Sequence, residues 1–371
     1  MKLTKPPSPE RIEETQQPLS LFQIRDKNEW LPEATPTSDI LKAAARGSVG
    51  EEGYYGVPML KRPLWHWHIA LYFFFEGVSA GAFLLASLAD LFGGGQLRKL
   101  SRAGYTVSFL SILPCPPLLI ADLGVPSKFH HMLRIFKPSS PMNLGAWSLA
   151  AYSIPLQMIT LQHLAADTEI FPKAIQRLLL RLVPERLAGI LGIPCALLMV
   201  SYPGVLLSTT STPVWSRTRL LGALFSSSSM ATGAAATSLA LALAESVDHR
   251  AISKMEKIER LASLCEGVAL AGYLITTGKA ARPLLKGRYV WHIFLAGSAV
   301  AAQLLLPAKP ARKRKRGLMS SLLRSALTLA GGLALKWAIV YAGRKSAEDP
   351  QAARDASRPS KAAPGWNKAR R

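Results

Sequence analysis

Apolar blocks of bilayer-crossing length alternate with short basic segments along most of the chain. A helix needs about 20 mostly apolar residues to cross the hydrocarbon. Eight segments meet that length, at 67–92, 105–123, 144–165, 187–208, 220–244, 258–276, 289–306 and 318–341. They predict an all-α integral membrane protein, with eight transmembrane helices in a bundle. The fifth segment is rich in Ser, Ala, Gly and Thr. Such residues let backbones approach closely, which predicts a central place for that helix. The chain outside the blocks is polar. Residues 1–60 and 344–371 read as disordered tails flanking a membrane domain at 61–343. The first tail has no apolar core of signal-peptide length.

Three proline clusters modify this pattern. Proline removes a backbone donor and kinks a helix. Pro114-Cys115-Pro116-Pro117 therefore predicts a bend late in the second helix, and Tyr202-Pro203-Gly204 predicts a break in the fourth. Lys137-Pro138-Ser139-Ser140-Pro141 predicts a rigid entry into the third.

Composition supports a membrane protein over a nucleic-acid binder. The 371 residues are 49% hydrophobic and carry a formal net charge of +22. The cations lie between apolar blocks instead of gathering on one soluble face. Loops with more Lys and Arg stay cytoplasmic. The odd-numbered loops are richer, largely through Arg312–Arg316. That favours the outer face of a bacterial-type inner (cytoplasmic) membrane for the loop after the second helix, while the basic C-terminal tail argues for the opposite orientation. Cys115, Cys195 and Cys265 each lie inside an apolar block without metal-ligand spacing, so no metal is expected.

Candidate chemistry concentrates at 118–147, LLIADLGVPSKFHHMLRIFKPSSPMNLGAW. Asp122 ends an apolar helix, a Gly-Val-Pro turn follows, and His130, His131, Arg134 and Lys137 come next. A histidine beside a carboxylate suits proton exchange and hydrogen bonding to a quinone carbonyl. Glu76 and Glu266 sit near the middle of the first and sixth helices, each followed by Gly-Val. A charge at mid-bilayer costs roughly 2.5–3.5 kcal/mol on insertion scales, so such groups face the bundle interior. They fit proton relay, or interhelical hydrogen bonding by a neutral carboxyl. A path across the bilayer through both would make the chain a proton-translocating subunit. The histidines give no opposed pair deep in the bilayer, so no haem is expected.

Four segments resemble the NrfD/PsrC family, the membrane subunits of polysulfide, nitrite and related respiratory reductases. They are YFFFEGVSAGAF, the 118–147 stretch, YPGVLLSTTSTPVW and ATGAAATSLALAL. The resemblance runs from about residue 63 to residue 306. It implies an eight-helix bundle without haem or metal. It further implies quinone or quinol (menaquinone or ubiquinone) bound near one membrane face, and electron exchange with a ferredoxin-like iron–sulfur subunit docked there. A further catalytic subunit would carry the other half of the reaction. Carried over by position, Asp122 and His131 belong to the loop motif and Glu76 to the first-helix polar site. His68 and Tyr72 extend the quinone pocket. One departure is visible: the family's usual Gly-Arg-Pro turn reads Gly124-Val125-Pro126 here. An expected cation near Asp122 or the partner is missing. A non-redox anchor or transporter is the remaining alternative.

Overall fold

The computed structural model describes residues 60–167, 172–182, 184–244, 249–286, 288–305, 315–349 and 352–353. The expected tail at 1–60, apart from its last residue, lies outside the described residues, as do Arg312 to Arg314 and most of 344–371.

The described chain is helical, in ten main pieces. They are α1 (Trp67–Phe92), α2 (Arg98–Ile112), α3 (Cys115–Asp122), α4 (Pro141–Asp167), α5 (Lys173–Leu182), α6 (Glu185–Ser208), α7 (Leu220–Leu243), α8 (His249–Thr277), α9 (Val290–Leu305) and α10 (Lys315–Ala347). Among the described residues, five stretches are long and apolar enough to cross a membrane. These are α1, α2 with α3, α6, α8 with its short extension to Leu285, and α10. α9 is apolar but shorter. In α7 the run Ser226–Ser229 lowers the hydropathy below that of its neighbours.

Polarity is arranged for a nonpolar solvent. Ile190, Leu191 and Leu198 of α6, Leu261, Val268 and Ile275 of α8, and Trp291 and Phe294 of α9 all lie on the outside. Glu76, Glu266 and Lys336 lie inside, with exposures of 0%, 4% and 0%. Water would penalise that outer surface, whereas acyl chains accept it, and the charged groups find partners only within the bundle.

α7 is the hub, packing against α1, α2, α6, α8 and α10. Its small residues explain the position. A Cβ on Gly233 would lie 2.5 Å from the backbone N of Ala82 and 2.9 Å from Cα of Gly81. Only hydrogen fits at this crossing, as expected where backbones meet. One helix layer outward, Ser79, Ser108 and Tyr152 join α1, α2 and α4. Ser79 Oγ donates to the Ser108 carbonyl at 2.8 Å, and the Tyr152 hydroxyl lies 2.7 Å from Ser108 Oγ and 2.9 Å from Ser79 Oγ.

The second helix breaks where its prolines predict, between Ile112 and Cys115. The fourth does not. α6 runs unbroken through Pro194 and Pro203 to Ser208. Pro203 itself is buried against neighbouring helices, a setting in which a helix can continue despite the lost donor. The last helix also outruns its expected end at 341. Arg344 Nη1 donates to His66 Nδ1 at 3.0 Å, and Ser346 Oγ accepts the Val214 N–H at 3.1 Å. These contacts carry α10 on to Ala347. Val214 belongs to a one-turn helix, Pro213–Ser216, whose Trp215 is fully buried. The Trp215 indole donates to the Ile339 carbonyl at 2.8 Å and stacks on Trp65 at 5.4 Å.

Candidate functional site

A cavity of about 260 Å3 opens beside the start of α1, bounded by α3, the loop after it, and the adjoining ends of α4 and α6. Its walls are mostly apolar, including Ile69, Phe73, Leu119, Met132 and Leu149. Few polar side chains reach it, chiefly Tyr72, Asp122, Ser153 and Tyr202. An engineered cavity of about 150 Å3 holds benzene, so this one admits a substituted ring. An apolar slot with a few convergent polar groups is the usual form of a small-ligand site.

Asp122 is placed by the proline break. With the helix restarted at Cys115, its last turn ends beside the first residues of α1. The Asp122 side chain is 13% exposed, and its Oδ1 lies 4.0 Å from His68 Nδ1. That separation permits an ion pair but exceeds a hydrogen bond. Nδ1 of His68 has no hydrogen-bond partner, and the ring stacks on Trp67 at 3.9 Å. The field of Arg344 also reaches Asp122. It comes from a helix that the sequence motif does not include, and it puts a cation near the place where Val125 removes one. Val125 itself is exposed.

The sequence candidates divide by position. Asp122 and Tyr72 line the cavity, and His68 backs Asp122 from behind the wall. Glu76 lies one turn beyond Tyr72, fully buried, with neither carboxyl oxygen hydrogen-bonded within 3.5 Å. Tyr72 and Lys336 are the polar groups acting on it. His131 is exposed and does not line the cavity; its ring lies 4.4 Å from that of His130. The loop motif therefore has two faces. Phe129, Met132 and Leu133 close the cavity, while His130, His131 and Arg134 look outward.

Lys336 and Asn143 are two residues that the motif reading passed over. Lys336 of α10 is fully buried, donates from Nζ to Ser228 Oγ at 2.9 Å, and lies over the Phe225 ring at 5.7 Å. Its field reaches both Glu76 and Glu266. The two Glu-Gly-Val segments thus meet at one cation. A lysine alone in an apolar run on the last helix was the available signal. Asn143 holds the loop closed. Its Oδ1 accepts the Lys137 N–H at 2.7 Å, and its Nδ2 donates to the carbonyls of Met132 at 2.8 Å and Ile135 at 3.0 Å. Asn143→Ala should loosen the cavity lid by about 1–2 kcal/mol. Amide hydrogen exchange across 130–137 should then quicken roughly tenfold while α7 is unaffected.

The family profile described as "Polysulphide reductase, NrfD" matches residues 57–346. The chain belongs to the NrfD family. It is 28% identical over 309 residues to Protein NrfD of Escherichia coli K12, a match covering 76% of this chain and 95% of that protein. It is 26% identical over 300 residues to a polysulfide reductase component of Wolinella succinogenes, covering 76% and 94%. A shorter match, 30% over 95 residues, is to a selenate reductase component of Mesobacillus selenatarsenatis, covering 26% of this chain and 22% of that one. The NrfD match spans the whole described bundle up to Ser346, so the cavity, Glu76 and Lys336 all belong to the family domain. With its apolar outer surface, this is a multi-pass membrane protein of that family.

Proposed function

We propose that this chain is the membrane subunit of a respiratory oxidoreductase and binds quinone or quinol in the Asp122 cavity. Eight helices cross a bacterial-type inner membrane, with α4, α7 and α9 completing the set. Two of the similar proteins are named as components of reductases. The observation that carries the reading is the cavity: ring-sized, apolar and edged by Asp122 and Tyr72, with a buried carboxyl one turn behind.

The half-reaction is QH2 → Q + 2 H+ + 2 e−, or its reverse. Asp122 accepts a proton from the ring hydroxyl nearest it, and His68 balances the charge. Tyr72, also in the cavity wall, links it to Glu76. The electrons pass through the loop to a ferredoxin-like iron–sulfur subunit, and a further catalytic subunit completes the reaction. The outward surface of the loop suits a protein partner, with exposed Ile135 and Phe136 beside Lys128, Arg134 and Lys137. Short-loop charge favours a position for this face outside the cytoplasm.

An azido-quinone analogue tests the site in membranes. Illumination should label peptides from α1, α3 and the 126–146 segment. Ala146→Trp, which fills the cavity, should abolish that labelling with the fold intact. Labelling that survives this substitution, or that falls elsewhere, would overturn the assignment.

A further inference from the structure

The quinone reading leaves a second set of ionisable groups unused. Glu256, Glu259, Ser263 and Glu266 form a stripe along one face of α8, with exposures of 7%, 1%, 1% and 4%. Glu259 Oε1 accepts from Gln303 Nε2 of α9 at 2.6 Å, and its Oε2 accepts from Ser325 Oγ of α10 at 3.0 Å. Gln303 Nε2 also donates to Thr328 Oγ1 at 2.9 Å. Arg324 Nη2 donates to Glu256 Oε1 at 2.7 Å.

This cluster lies toward the face opposite the cavity. Ile252 and Met255, just before it on α8, pack with Leu85 and Ala89 at the far end of α1 and with Leu100 at the start of α2. From there the stripe leads inward. Glu259 and Glu266 are seven residues apart, a rise of about 10 Å, and buried Ser263 lies between them. Glu266 meets Ser228, which also accepts from Lys336. Lys336 acts in turn on Glu76, and Glu76 on Tyr72 at the cavity wall.

Interhelical hydrogen bonding alone does not need charge, because amides and hydroxyls make such bonds without the expense of burying ions. A row of buried ionisable and hydroxyl groups on one helix stripe is the arrangement that stepwise proton transfer uses inside a membrane.

We propose that the buried column Glu256, Glu259, Ser263, Glu266, Lys336 and Glu76 carries protons between the far membrane face and the cavity. The inference rests on the quinone reading and adds the source of its protons. In reduction, Q + 2 e− + 2 H+ → QH2, both electrons come from the iron–sulfur partner at the loop face. Both protons arrive along the column from the opposite face. Oxidation runs the same path backwards. Either direction moves charge across the membrane.

The full chain in liposomes enclosing a pH dye tests this. A potassium diffusion potential set with valinomycin drives protons inward. The wild-type chain should acidify the lumen well above protein-free liposomes. Glu259→Gln should slow that flux by a factor on the order of 100, although glutamine can keep hydrogen bonds at this position. Should Glu259→Gln fail to fold, Glu266→Gln carries the same expectation. Wild-type flux equal to that of empty liposomes, or unchanged flux in a folded variant, would overturn the column. Azido-quinone labelling in the same liposomes reports on the cavity separately. Conduction without cavity labelling defeats the quinone reading alone, and labelling without Glu259-dependent conduction defeats the column alone.

Discussion

Asp122→Asn is expected to lower quinol oxidation in membranes by a factor on the order of 100 while leaving quinone binding nearly intact. Asparagine has almost the same shape and keeps a hydrogen-bonding oxygen, so the cavity wall survives. What it loses is the ability to take a proton and the charge that His68 balances at 4.0 Å. The proton-transfer contribution of a positioned acid or base is typically that large. The effect should therefore appear in turnover and not in azido-quinone labelling. His131→Ala supplies the contrast. His131 is exposed and outside the cavity lining, so its loss should leave labelling unchanged and act only through docking of the iron–sulfur partner. If His131→Ala abolished labelling and Asp122→Asn did not affect turnover, the roles assigned to the two faces of the loop would be reversed.

The bundle was legible because its driving force is one-dimensional. Apolar runs set where helices lie, and α1 falls at 67–92 as its hydropathy predicts. The small residues of α7 gave its central place because close backbone approach needs nothing but the absence of side chains. Asp122 stood out because it closes an apolar run just after a proline cluster.

Three features escaped for a common reason: each depends on how the chain folds back or packs around it. Glu256 and Glu259 look like parts of a basic loop until α8 is seen to begin at His249 and bury them. Their register with Ser263 and Glu266, at spacings of three, seven and ten residues, was a readable stripe. The apolar segment of the sixth helix, 258–276, starts too late to include Glu256. Asn143 looks like an ordinary early helix residue until the loop folds back on it. Pro203 read as a breaker, yet whether a proline breaks a helix depends on what packs around it.

Lys336→Met should be the most destabilising of these substitutions, at about 3–5 kcal/mol, the range seen when one partner of a buried charge group is removed. Methionine matches the lysine stem in length, so packing against Phe225 and Gly77 is largely kept. The loss is the cation that Glu76 and Glu266 share, together with the donor to Ser228. Thermal unfolding in mild detergent should show a clear fall in Tm. A double-mutant cycle then assigns the cause. Glu76→Gln alone should cost little, because neither oxygen of Glu76 holds a hydrogen bond. In the Lys336→Met background it should restore part of the lost stability by removing an acid without a counter-charge. Glu266→Gln should do the same from the other side, and more weakly, since Ser228 remains beside Glu266. Strict additivity in both cycles would mean that the three groups do not share a charge. The column would then lose its link between α8 and α1.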